Sequence, residues 1–102
     1  MSARKFRLEV TERASDDLRS IQAYTLAQWG VDQATEYEEA IHDAFEMLRT
    51  HPELGKNRED LRSGLRGYPV LGHFILYEIA RDTLVVQRIV HQRMDSSRAL
   101  FP

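Results

Sequence analysis

A chain of 102 residues, 42% hydrophobic and 29% charged, has the makings of one domain with one core, because two units of half that length would each bury too little apolar surface to stand alone. It contains no cysteine, which excludes disulfides, thiolate metal sites and cysteine nucleophiles and fits a cytoplasmic protein. The net charge of −2 conceals an uneven spread: residues 11–53 carry ten acidic side chains against three Lys or Arg, and residues 54–102 carry eight basic against five acidic. Such asymmetry points to two different partner surfaces rather than one face for a polyanion.

The first ten residues, MSARKFRLEV, lack the apolar run of an export signal, and the longest apolar stretch, Phe74 to Tyr77, is far short of the roughly 20 residues that span a bilayer. No membrane association is expected. Within that opening, Phe6, Leu8 and Val10 alternate with Lys5, Arg7 and Glu9, the period of a half-buried strand. Thr11 offers a hydroxyl as helix N-cap, and Glu12 places a negative charge in the first turn, where the helix dipole favours it. Ala14, Leu18, Ile21 and Tyr24 or Thr25 recur at three- and four-residue spacing and carry an apolar stripe up to Trp29. Gly30 supplies a left-handed stop.

Beyond Val31, Asp32 is placed to cap a second helix, along which Ala34, Tyr37, Ile41, Ala44 and Leu48 follow at 3,4,3,4 spacing until Pro52. Two helices joined by about two residues fold back on each other, so the spacing predicts an αα-hairpin over Ala14 to Pro52. Glu53 to Ser63 is polar and reads as a surface connection. Three β segments follow, Leu65 to Val70, His73 to Ala80 and Thr83 to His91, separated by Gly72 and by Arg81-Asp82, which predicts an antiparallel meander. Phe74 to Ile79 is apolar on both faces and suits a central strand. The expected fold is α+β in the order β-α-α-β-β-β, an antiparallel sheet packed against an N-terminal helical hairpin, with residues 1–102 forming a single domain.

Chemistry is harder to find. Glu36, Glu39, Asp43 and Glu46 lie opposite the apolar stripe of the second helix, and Glu38, His42 and Glu46 stand four apart, but a solvated acidic face is the ordinary state of an amphipathic helix. No metal site and no cofactor are expected. The four histidines form no H-x-x-x-H pair, no serine sits in a G-x-S-x-G elbow, and Gly64 and Gly67 make no phosphate loop. No catalytic residue is therefore assigned. What remains is a basic sheet region with interspersed Tyr and His, from which Arg62, Arg66, His73, Arg88, His91 and Arg93 are candidates for binding a target or partner. A soluble surface needs charge in any case, and the excess here is small.

The order and spacing of Ala14-x-x-Asp17-Leu18, Trp29-Gly30, Pro52-x-x-Gly55, Leu65-Arg66 and Arg88-Ile89-x-His91-x-Arg93-x-Asp95 resemble the ParE toxins of bacterial type II toxin–antitoxin modules, also called plasmid-stabilisation proteins. The likeness runs from about Phe6 to Asp95. It implies a fold shared with the RelE ribonucleases and a protein that is not an enzyme, inhibiting DNA gyrase by trapping it on cleaved DNA. It also implies neutralisation by a ParD-like antitoxin, in a heterotetramer of two toxins and two antitoxins, without direct sequence-specific nucleic-acid binding by this chain. Such a trap works by preferring one conformational state of its target.

Two alternatives stay open. One is a RelE-like ribosome-dependent mRNA endoribonuclease, in which His91 would do acid–base work and Arg66, Arg88 and Arg93 would supply charge; against it, no tyrosine follows Tyr77 and the Leu65 to Val70 strand holds Pro69 and a single arginine. The other is an inert antitoxin-binding module. On the gyrase-directed reading, His91, Arg93 and Asp95 are expected to form a hydrogen-bonded and ionic cluster that secures the C-terminal tail. Trp29, Tyr37, Phe45, Tyr68 and Phe74 are the apolar candidates for antitoxin docking.

Overall fold

Thr11 marks the exchange from strand to helix. Its hydroxyl accepts the Ala14 N–H at 3.1 Å and donates to the Gln87 carbonyl at 3.1 Å, so one side chain both caps a helix and fastens it to a distant strand. The computed structural model describes residues 4–94 and 100–101. Strand β1 (Arg7–Val10) precedes this residue and helix α1 (Glu12–Trp29) follows it. Gly30, at φ +90°, stops α1 and is itself the N-cap of helix α2 (Val31–Thr50). The hairpin link is thus this single residue, and Asp32 lies inside the first turn of α2 rather than capping it, because Gly30 already holds that position.

A 3-10 turn (Pro52–Leu54) leads into the two-residue strand β2 (Lys56–Asn57), then β3 (Arg66–Val70), β4 (His73–Ala80) and β5 (Thr83–His91), with a last 3-10 turn over Gln92–Met94. These form one sheet in the order β1-β5-β4-β3-β2. The α+β order and the meander stand as expected. The sheet is mixed rather than wholly antiparallel: β1 runs parallel to β5, from Arg7 opposite Thr83 to Val10 opposite Val86. Tight turns dictate antiparallel pairing within the meander, whereas the whole hairpin separates β1 from it, and no turn constrains the direction of β1. The strand β2 draws part of the expected surface connection into the sheet, against Arg66 and Gly67.

Strand β5 contains one residue more than β4 can pair. Leu76 stands opposite Arg88 and Tyr77 opposite Val86, which leaves Gln87 as a bulge, and it is the Gln87 carbonyl that the Thr11 hydroxyl holds. The extra residue shifts the facing: Leu84 and Val86 turn to the hairpin before it, Ile89 after it. On the hairpin side, Ile75, Tyr77 and these β5 residues pack with Tyr37, Ile41, Ala44, Phe45 and Leu48 of α2 and with Ala14 of α1. The back of the sheet has a smaller core of Leu65, Leu76 and Val90 under Leu100, flanked by Leu61, Phe74 and Phe101. The stripe on α1 stays half-buried through Leu18, Ile21 and Thr25; Tyr24 and Trp29 remain exposed. Among the described residues, no helix is long and apolar enough to cross a membrane.

Candidate functional site

The far ends of β4 and β5 bring His73 directly opposite His91. Their rings lie edge to face, 5.4 Å apart at 80°, and Tyr37 of α2 meets His73 in the same way at 5.4 Å and 75°. Three rings therefore make a continuous floor, a contact geometry that aromatic quadrupoles favour. Above it opens a groove of about 740 Å³ whose walls include Tyr24 and Trp29 of α1, Leu71 of the β3–β4 turn and Glu36 of α2. Trp29 is 67% exposed, so this wall presents an aromatic face to solvent.

The floor is polar at its edges. Tyr37 is only 5% exposed, and among the described residues its hydroxyl has no hydrogen-bond partner; burial pushes the phenol well above its ordinary range. Burial also holds His73 below the usual histidine value, an effect opposed by the nearby Leu71 carbonyl and reinforced by the charge of His91. The His73 Nδ1 lies 3.3 Å from that carbonyl. The His91 Nδ1 accepts the Arg93 N–H at 3.1 Å, which puts the proton of a neutral ring on Nε2. The two imidazoles give the floor hydrogen-bonding edges within an aromatic surround.

The other candidates from the sequence lie elsewhere. Arg88 is 8% exposed and is engaged by the Asp17 carboxylate of α1, while its Nη1 donates to the Leu100 carbonyl at 3.0 Å. Arg66 donates to the Gly55 and Glu53 carbonyls at 2.7 and 3.2 Å. Beside it the Tyr77 hydroxyl donates to the Pro52 carbonyl and accepts the Gly55 N–H at 2.8 Å, so the Pro52-x-x-Gly55 motif is a loop that Arg66 and Tyr77 hold shut. Arg62 lies 3.7 Å from Glu78, with its guanidinium 5.2 Å over the Phe101 ring.

Of the expected cluster at the end of β5, His91 and Arg93 are joined through the Arg93 backbone, and Asp95 lies outside the described residues. The tail contact that is described runs through Arg88 instead. Sequence reasoning also passed over Glu36, placed among the solvated carboxylates of α2, and Asp17, quoted only as part of a motif. A carboxylate three residues after Ala14 and just before Leu18, on the packed side of α1, was the available signal for Asp17.

Residues 8–96 match the family model described as ParE toxin of type II toxin–antitoxin system, parDE. The chain belongs to the ParE toxin family. Toxin ParE1 of Caulobacter vibrioides is 32% identical over 87 residues, covering 85% of this chain and 90% of the relative. Toxin ParE1 of Mycobacterium tuberculosis is 33% identical over 88 residues, with the same two shares. Among solved structures, the chromosomal ParDE system of P. aeruginosa superposes with a TM-score of 0.74 at 18% identity, over 87% of this chain and 98% of that one. The RelBE2 toxin–antitoxin complex of Mycobacterium tuberculosis gives 0.60 at 24%, over 86% and 99%. The structural likenesses bear on the fold; the sequence relatives and the family model establish this ParE-family chain as a type II toxin.

Proposed function

We propose that this ParE-family toxin inhibits DNA gyrase by trapping it on cleaved DNA, without chemistry of its own, and that a ParD-like antitoxin neutralises it in a cytoplasmic assembly of two toxins and two antitoxins. The likeness to ParE toxins along residues 8–96 carries this reading. The trap needs only differential affinity: a ligand that binds the cleaved form of an enzyme more tightly raises the population of that form by the ratio of the two affinities.

The placement of the arginines supports a binder over a nuclease. Cutting RNA on the ribosome requires free cations gathered around a phosphate beside an acid–base group. Here Arg88 is committed to Asp17 and Arg66 to two loop carbonyls, and Arg66 lies four residues along β3 from the level of His73, roughly 13 Å at the usual rise of a strand. The groove over His73 and His91, with Trp29 on its wall, is the proposed antitoxin-docking surface; a segment that is disordered alone and orders on binding suits an open aromatic channel.

The test is direct. Purified toxin mixed with gyrase and supercoiled plasmid is expected to accumulate cleaved DNA after protein denaturation, and added antitoxin to prevent it. Cutting of mRNA on translating ribosomes would assign the chain to the RelE-like alternative, and absence of both effects would leave the inert module.

A further inference from the structure

Glu36 is the one carboxylate among the described residues that line the groove, and among the described residues no ion pair engages it. Around it stand the aromatic faces of Tyr24 and Trp29, 63% and 67% exposed. The helices that supply these residues belong to the stretch 11–53, where ten acidic side chains face three basic ones. An acidic anchor entering here would meet Glu36 and a field of the same sign. A purely apolar one would desolvate Glu36 at a cost. A guanidinium or ammonium group meets neither penalty: it can lie on the Trp29 ring and pair with the Glu36 carboxylate.

We infer that the groove seats an arginine or lysine side chain, flanked by apolar residues, from the toxin-binding segment of the antitoxin. The inference rests on the antitoxin-docking reading above and adds the chemistry of the anchor. It makes Glu36 and Trp29 specificity-determining residues for the choice of antitoxin.

The experiment measures the affinity of the purified toxin for the antitoxin encoded with it, for wild type, Glu36→Gln, Trp29→Ala and the control Glu39→Gln, a neighbouring carboxylate outside the groove. Thermal melts of each variant verify folding. The expected result is a loss of about tenfold or more for Glu36→Gln and for Trp29→Ala, a change within about twofold for Glu39→Gln, and a shallower salt dependence in Glu36→Gln. Weakening by Trp29→Ala without weakening by Glu36→Gln overturns the cationic anchor while leaving the groove as the docking surface. Unchanged binding in both variants overturns the docking reading as well. If wild type binds no antitoxin at all, the partner assignment itself fails and the inference with it.

Discussion

The Asp17 carboxylate grips Arg88 through Nε at 2.7 Å and Nη2 at 3.1 Å and also accepts the Ile89 N–H at 3.0 Å. One side chain of α1 thereby closes the edge of β5 just beyond the point where β1 stops pairing with it. Both side chains are largely withdrawn from water. Removing one partner strands the other, so Asp17→Ala is expected to cost about 3–5 kcal/mol of unfolding free energy, and Arg88→Ala a similar amount. Urea unfolding of both single variants and of Asp17→Ala with Arg88→Ala checks this; the double variant should lose less than the sum, since the residues share one network.

Gly55 is fixed by the same kind of close approach. A Cβ there would collide with the Tyr77 hydroxyl, so Gly55→Ala is expected to destabilise by about 1–3 kcal/mol through overpacking. Tyr77→Phe keeps the ring and loses the hydroxyl's two hydrogen bonds, at about 1–2 kcal/mol. Chemical denaturation of each variant measures both effects.

Two aromatic residues of the hairpin should behave in opposite ways. Phe45 is buried in the main core, and Phe45→Ala is expected to cost about 3–5 kcal/mol. Trp29 is exposed, and Trp29→Ala should leave stability within about 0.5 kcal/mol. Comparing their thermal midpoints separates a residue kept for packing from one kept for a partner.

Leu71 occupies the left-handed region at φ 44°, ahead of Gly72 at φ 84°. Asn-Gly is the easier pair for such a hairpin turn, and Leu71→Asn is expected to stabilise the chain by about 1 kcal/mol, read as a rise in thermal midpoint. Leu71 also lines the groove, so the same change should weaken antitoxin binding, the pattern of a residue retained for function against local preference.

The lowered pKa of His73 makes stability sensitive to pH in one direction. Folded His73 binds a proton less readily than the unfolded chain, whose histidine has the ordinary value near 6.5. As pH falls through that value the unfolded state takes up more protons, and stability drops; above it the contribution is intact. The fall in thermal midpoint between about pH 7.5 and pH 5.5 is therefore expected to be larger for wild type than for His73→Phe, which retains an aromatic ring and has nothing to titrate.

Much of this fold is written locally. Gly72 and the Arg81-Asp82 pair bound β4 and β5 where the structure has them, Thr11 caps α1, and the spacing from Tyr37 to Leu48 gives the buried face of α2. The misses are of longer range. No local signal reports that β1 will lie parallel to β5, and strict alternation through β5 would put His91 on the opposite side from Val86, because a bulge is invisible to a period of two. His73 and His91 stood out as polar residues in an apolar meander, but their pairing depends on a turn and a bulge between them. Arg66 and Arg88 looked like surface cations because sequence alone shows neither the loop carbonyls nor the carboxylate that engage them.

The irregularity at Gln87 makes β5 tolerant of shortening at one place. A regular ladder through all nine residues of the strand would aim Arg88 into the apolar layer beneath α2 and carry His91 to the back of the sheet. Loss of the codon for Gln87 would instead leave the remaining side chains with their present facing, so the groove would survive in a lineage that dropped it, provided Thr11 found another carbonyl to hold.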